Sequence, residues 1–159
     1  MAGLKEEASQ CTARTSEGFE GPNARASNMR VEFPFVNERS SLFGIVSRPV
    51  AKIIFERKFI QWMYVDSGAD ITLIPLSVGR LIGLHRTRKD RLERIFGVGQ
   101  SRVPIVIKRV HMQLGRTKFQ ARLAWSQIED VPLLLGRIDV FRFFDVTLKE
   151  KAHVTVYTR

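Results

Sequence analysis

Residues 62–75 of the chain read WMYVDSGADITLIP, and the interpretation of the whole sequence starts from this stretch. One apolar run ends at Val65, small and acidic residues fill positions 66–70, and a second run rich in apolar residues begins at Ile71. An isolated Asp-Ser-Gly is most often an ordinary surface turn. Apolar residues on both sides favour a turn held in the core, where a carboxylate is costly unless it has a role. The pattern therefore indicates that Asp66 is a functional acid.

The composition is typical of one globular domain. The chain has 159 residues, of which 44% are hydrophobic and 26% charged, so it can bury a core of its own. A single cysteine excludes an intramolecular disulfide and a cysteine-rich metal site, and it favours a reducing cytoplasm. No apolar run approaches the roughly 20 residues of a membrane-spanning helix. We therefore predict a soluble cytoplasmic protein that does not associate with membranes.

The chain divides into a polar N-terminal segment and a strand-rich domain. Residues 1–28 have almost no large apolar side chains and no periodicity, which predicts disorder, and residues 29–159 form the predicted domain. Helical periodicity occurs only at 76–84 and 138–144, so the domain is predicted to be mostly β. Turns at 56–58 and 115–116 predict antiparallel hairpins. The predicted strands are 42–47, 50–56, 59–65, 102–114 and 118–125.

Three segments together resemble the retropepsin family of aspartic peptidases. Residues 66–70 (DSGAD) are similar to the active-site loop of that family, and residues 95–100 (IFGVGQ) resemble its glycine-rich flap. Residues 131–137 (VPLLLGR) resemble the apolar-Gly-Arg segment that precedes its helix. The likeness covers roughly residues 42–149, and the part after Arg137 is most like the cellular, single-domain prokaryotic members.

The resemblance implies a role for each residue of the loop. Asp66 would be the catalytic acid, Ser67 would hydrogen-bond across a dimer axis, and Gly68 would let the substrate backbone approach closely. Ala69 would belong to the same loop beside the substrate backbone. Asp70 would contact the substrate main chain.

The resemblance also implies a fold and an assembly. The chain would be an all-β, closed-barrel-like half of an acid protease with one or two short helices, functional as a two-fold dimer. Arg137 would pair with Asp70 and support the loop. The flap that closes over an extended peptide substrate would contain Phe96, Gly97, Val98 and Gly99.

The chemistry of peptide hydrolysis gives independent support for a homodimer. One carboxyl must deprotonate a water while another donates a proton, and in aspartic proteases two carboxyls about 3 Å apart share one proton for this purpose. The sequence contains one Asp-Ser-Gly and no Asp-Thr-Gly, so the second carboxylate must come from a second copy of the chain. We therefore predict an aspartic endopeptidase that needs neither a metal nor an organic cofactor. The three histidines lack the paired spacing of a zinc site.

Two alternatives from other classes remain open at this level. The fold could serve as a catalytically silent dimerisation or peptide-binding module, since Ser67 replaces the threonine of viral members and Ile71 stands where they often have an acid. The net charge of +10 could instead serve nucleic-acid binding or attract acidic partners. The densest basic run, 80–94, has no interleaved aromatic residues to stack on bases, which favours a solvated face.

Overall fold

The computed structural model describes residues 29–97 and 102–159. The segment 1–28, predicted to be disordered, lies outside these ranges, as do Val98 and Gly99 of the predicted flap. The twelve strands of the described residues are β1 (Arg30–Pro34), β2 (Val36–Ser40), β3 (Gly44–Arg48), β4 (Val50–Phe55), β5 (Phe59–Val65), β6 (Thr72–Ile74), β7 (Glu93–Phe96), β8 (Arg102–Leu114), β9 (Thr117–Ser126), β10 (Leu134–Leu135), β11 (Asp145–Lys149) and β12 (Val154–Thr158).

Six of the strands close into a barrel. The order around it is β4-β5-β10-β6-β9-β8, and β8 pairs with β4 again to complete the ring. The pairs β5–β10 and β6–β9 are parallel, and the other pairs around the ring are antiparallel. β7 pairs with β8 outside the ring. This architecture confirms the all-β, closed-barrel prediction.

The barrel interior is filled by alternating side chains of the long strands. Ile53, Phe55, Met63, Leu114 and Leu123 are fully buried there. Burying each of these side chains stabilises the fold by about 1.5–3 kcal/mol before conformational entropy is counted. The barrel is therefore a packed core, and a ligand cleft can lie only outside it.

A three-stranded sheet, β1-β12-β11, packs against the barrel. Its buried face is aromatic: Tyr157 contacts Phe33 and Phe144 edge to face, with ring centroids 5.9 and 6.1 Å apart. Edge-to-face pairs of this kind contribute beyond their buried area. Phe144 thus belongs to the core, and the partly buried Phe141 and Phe143 pack against it.

Helix α1 (Leu76–Leu81) is shorter than the predicted range of 76–84. Gly83 adopts a φ of +89°, and its N–H donates to the Arg80 carbonyl at 2.9 Å, which ends the helix. The helix packs closely on Trp125 at Gly79. A Cβ at this position would stand 2.0 Å from the indole nitrogen, so only glycine fits there.

The second predicted helix, at 138–144, is a single π-helical turn, Arg137–Phe141. Asp139 within this turn accepts hydrogen bonds from the Arg122 backbone N–H and Nε at 2.8 and 2.7 Å. These two bonds fix the turn to β9. The bond from the Arg122 side chain is the main reason that the pKa of Asp139 is lower than usual. No helix in the described part of the chain has the length and apolar character needed to cross a membrane.

Candidate active site

The Asp66 loop lies at the junction of three strands. β5 ends at Val65 and β6 begins at Thr72, so residues 66–71 connect them. The two-residue strand β10 lies between β5 and β6 and pairs with both. The Asp66 N–H donates to the Leu135 carbonyl at 3.2 Å. The start of the loop is therefore fixed by a strand more than sixty residues away in sequence.

Gly136 closes the other side of this junction. Its N–H donates to the buried Thr72 hydroxyl at 3.1 Å, and a Cβ at this position would stand 2.3 Å from the Ile71 carbonyl carbon. No side chain fits so close to a neighbouring backbone. The predicted apolar-Gly-Arg segment thus passes directly behind the loop, and glycine is required there for steric reasons.

Arg137 contacts the loop through its main chain. The N–H groups of Arg137 and Ile138 donate to the carbonyls of Ala69 and Asp70 at 2.9 and 2.8 Å. The side chains of Asp70 and Arg137, expected to pair, form no salt bridge in the described part of the chain. Both are exposed and line one open cleft of about 460 Å³, so burial does not force them together. Arg137 therefore supports the loop through main-chain hydrogen bonds and not through an ion pair with Asp70.

The Asp66 carboxylate is oriented from within its own loop. Its Oδ1 accepts a hydrogen bond from the Gly68 N–H at 2.9 Å, and the Ala69 N–H donates to the Asp66 carbonyl at 3.3 Å. Asp66 is half-buried, whereas Ser67 and Gly68 at the apex are exposed. A Cβ on Gly68 would stand 3.3 Å from the same Oδ1. The loop therefore presents a fixed carboxylate beside an uncovered apex.

Asp66 opens into the largest cleft described on the molecule, with a volume of about 890 Å³. That volume lies within the range of about 300–1,000 Å³ common for ligand sites. The loop forms one wall, and the end of β7, with Phe96 and Gly97 of the predicted flap, forms another. Apolar side chains dominate the remaining lining: Ile71, Leu73, Ile95, Val103, Val131 and Leu134. Loop and flap residues that were predicted separately thus share one cleft.

A second, smaller cleft of about 430 Å³ borders Asp66 on the side of the β2–β3 hairpin. Tyr64, which faces this cleft, donates a hydrogen bond from its hydroxyl to the Glu38 carboxylate, and this bond raises the pKa of Tyr64. Arg48 pairs with the same carboxylate at 3.1 Å. Sequence reasoning missed this cluster, and it missed Thr72, because both depend on contacts between residues distant in the chain.

Within the described residues, no group of three or more histidine, cysteine, aspartate or glutamate side chains could hold a metal ion. His111 instead lies near Glu56, with Nδ1 3.5 Å from a carboxylate oxygen, and His153 packs against the Phe35 ring. Neither histidine lines the Asp66 cleft.

The described chain thus combines a closed six-stranded barrel with an Asp-Ser-Gly loop beside a largely apolar cleft. No family model and no curated protein matches the sequence. Among solved structures, the chain is similar to a retropepsin-like aspartic protease from Rickettsia conorii, with 12% identity, a TM-score of 0.55, and coverage of 84% of this chain and 95% of that chain. It is also similar to the EIAV protease in complex with an inhibitor, with 21% identity, a TM-score of 0.47, and coverage of 57% and 82%. The chain has the retropepsin-like fold.

Proposed function

We propose that residues 29–159 form an aspartic endopeptidase that acts as a homodimer, with one Asp66 carboxylate from each subunit. The observation that carries this proposal is the position of Asp66: its carboxylate accepts a hydrogen bond from the Gly68 N–H at the wall of a cleft of about 890 Å³, which Phe96 and Gly97 of the predicted flap also line. The retropepsin-like fold supports the same conclusion. A reducing cytoplasm, suggested by the single cysteine, is part of the proposal.

The proposed chemistry divides acid and base work between two copies of Asp66. The ionised carboxylate takes a proton from a water molecule as the water oxygen attacks the peptide carbonyl carbon. The protonated carboxyl gives its proton to the carbonyl oxygen, which produces a tetrahedral diol. A proton then passes to the leaving nitrogen as the C–N bond breaks. No covalent enzyme intermediate forms.

The need for a dimer follows from the single loop and from its exposed apex. The chain has one Asp-Ser-Gly, whereas the mechanism needs two carboxyls about 3 Å apart. A two-fold interface brings the same residue of both subunits to the axis. Ser67 and Gly68 are exposed in the single chain, so a second loop can approach them. In this arrangement Ser67 hydrogen-bonds across the axis.

The cleft favours an extended peptide as substrate. Among the described strands β7 pairs with β8 alone, so its outer edge beside the cleft offers main-chain groups to a peptide strand. The apolar lining favours substrates with large apolar side chains next to the cleaved bond. Asp70 is exposed in the same cleft and would accept hydrogen bonds from substrate amides. The net charge of +10 would attract acidic substrates, an effect that added salt weakens.

Digestion of a peptide library tests the proposal. We expect the wild type to cleave and Asp66→Asn, which keeps the size of the side chain, to lose at least about 10³-fold in kcat/KM. Asp145→Asn, an exposed change on β11 far along the chain from the loop, is the matched control and should retain activity. Full cleavage by an Asp66→Asn dimer would refute the catalytic role. Peptide binding without cleavage by the wild type would favour the silent peptide-binding module.

A further inference from the structure

The β2–β3 hairpin is an element that the barrel does not need for its own closure. β2 and β3 form a separate two-stranded sheet, in register from Val36↔Arg48 to Ser40↔Gly44. A lone two-stranded hairpin is at best marginally stable in water unless something packs against it. Its turn is nevertheless defined, because the Ser40 hydroxyl oxygen accepts hydrogen bonds from the N–H groups of Leu42 and Phe43, both at 3.3 Å. The hairpin is therefore an ordered projection.

The tip of this hairpin carries the three most exposed large apolar side chains among the described residues. Leu42, Phe43 and Ile45 are 82%, 79% and 74% exposed. Single exposed apolar residues are common on protein surfaces, but three within four positions form a patch. Such a patch in water is typical of a surface that another molecule covers.

The base of the hairpin lies beside β5, the strand that ends just before Asp66. Glu38 of β2 accepts a hydrogen bond from the Tyr64 hydroxyl, and Arg48 of β3 pairs with Glu38 and lies over the Tyr64 ring at 5.8 Å from its centroid. Glu38, Arg48, Tyr64 and Asp66 line the same cleft of about 430 Å³. The hairpin thus begins beside the residue that the proposed function places on the two-fold axis.

We propose that the β2–β3 hairpin is a dimerisation arm whose apolar tip packs on a second copy of this chain. The inference rests on the proposed function, because the axis at Asp66 puts the arm next to the partner subunit. Five-residue strands extend about 17 Å at about 3.3 Å per residue, so the tip reaches well beyond its base. Two-fold symmetry makes the contact reciprocal, with one arm from each subunit.

The available area favours a second copy as the occupant, and the local charge does not oppose it. Two chains of net charge +10 repel each other at long range, and residues 40–47 (SSLFGIVS) form an uncharged stretch that can meet the partner with little repulsion. A large aromatic side chain alone buries about 150–250 Å². Three large apolar side chains from each arm therefore supply a substantial share of the roughly 1,200–2,000 Å² that a stable interface buries.

Sedimentation velocity over a range of protein concentrations tests the arm. The double variant Leu42→Ser/Phe43→Ser should raise the dimer dissociation constant by at least about 100-fold, since four large apolar side chains leave the interface of each dimer. Leu81→Ser removes an apolar side chain that is 63% exposed on α1 and should leave the constant within about threefold of wild type. Both variants change exposed positions, so circular dichroism should show the wild-type fold.

Activity assays separate this inference from the proposed function. The specific activity of the double variant should rise with protein concentration toward the wild-type plateau, because its monomers still pair when concentrated. An unchanged dimer dissociation constant would contradict the proposal that the hairpin is a dimerisation arm. If KM rises while the dissociation constant is unchanged, the tip contacts substrate instead. If the double variant no longer co-sediments with anionic phospholipid vesicles while its dimer dissociation constant is unchanged, the tip binds a membrane instead. A wild type that is fully active as a monomer overturns the proposed function itself.

Discussion

The Asp66 junction and the β2–β3 hairpin are neighbours with opposite construction. At the junction, β10 fills the gap between β5 and β6, and the buried hydroxyl of Thr72 bonds to the Gly136 N–H, so this single chain supplies the partners that hold the loop. Within the described residues, the hairpin is bonded to the barrel through Glu38 and Tyr64, and its apolar tip is exposed. The contrast separates what one chain holds by itself from what the proposed dimer would complete.

The junction should be the more sensitive of the two regions, and Gly136→Ala should have the largest effect on stability. The new methyl group would overlap the backbone of Ile71 and Thr72, at 2.3 to 2.7 Å, and backbone atoms cannot turn away as a side chain does. We expect a loss of at least about 3 kcal/mol and a Tm lower by at least about 6 °C. Differential scanning calorimetry measures both.

Gly68→Ala is the matched glycine change in the same loop. Its methyl group would meet only the Asp66 Oδ1, at 3.3 Å, so stability should stay within about 1 kcal/mol of wild type while peptide cleavage falls. Equal losses of stability in the two alanine variants would contradict the steric role assigned to Gly136.

Thr72→Val should have the next largest effect. Valine keeps the shape of threonine but leaves the buried Gly136 N–H without its acceptor, which costs about 1–3 kcal/mol. Thr72→Ser keeps the hydroxyl and loses one methyl group, so it should destabilise less. Urea unfolding of the three proteins tests this order, and a serine variant less stable than the valine variant would show that the hydroxyl is not what matters.

The sequence predicted the strands on either side of the Asp66 loop better than the contacts that hold the loop, for a physical reason. Asp66, its two flanking strands and the Gly-Arg segment are short local patterns, and the structure brings them together at one junction. β10 has only two residues, and Thr72 and Gly136 are 64 positions apart, so local periodicity carries no signal for their contact.

The hairpin was predicted only in part because neither of its faces is fully buried. β2 (VNERS) has no residue in the core, so the alternation of apolar and polar residues that marks a strand is absent. Only the apolar run 42–47 was predicted as a strand, and most of it overlaps β3 at 44–48. The segment that escaped prediction is therefore β2, whose side chains face no core and leave no apolar pattern in the sequence.

Tyr64→Phe should loosen the hairpin while leaving the junction intact. The change removes the hydroxyl that bonds to Glu38, a contact at the surface that contributes about 1 kcal/mol or less. Amide hydrogen exchange should become faster in residues 36–48 and remain unchanged in β8 and β9. Faster exchange across the whole barrel would mean that the hairpin is part of the cooperative core, contrary to the proposed division.

Asp90→Asn should have the smallest effect, and that effect should depend on pH. Asp90 pairs with Lys108 of β8 at 2.7 Å, and the lysine ammonium, together with the Thr87 N–H, lowers the pKa of Asp90 from 3.8 to about 2. A depressed folded-state pKa gives stability that is present above about pH 4 and lost as the pH falls toward 2. The difference in urea midpoint between wild type and Asp90→Asn should therefore shrink between pH 5 and pH 2.5. Because the lowered pKa of Asp139 is common to both proteins, it cancels in this comparison. If the difference in urea midpoint stays constant over that range, the ion pair between Asp90 and Lys108 does not stabilise the contact between residues 85–92 and β8.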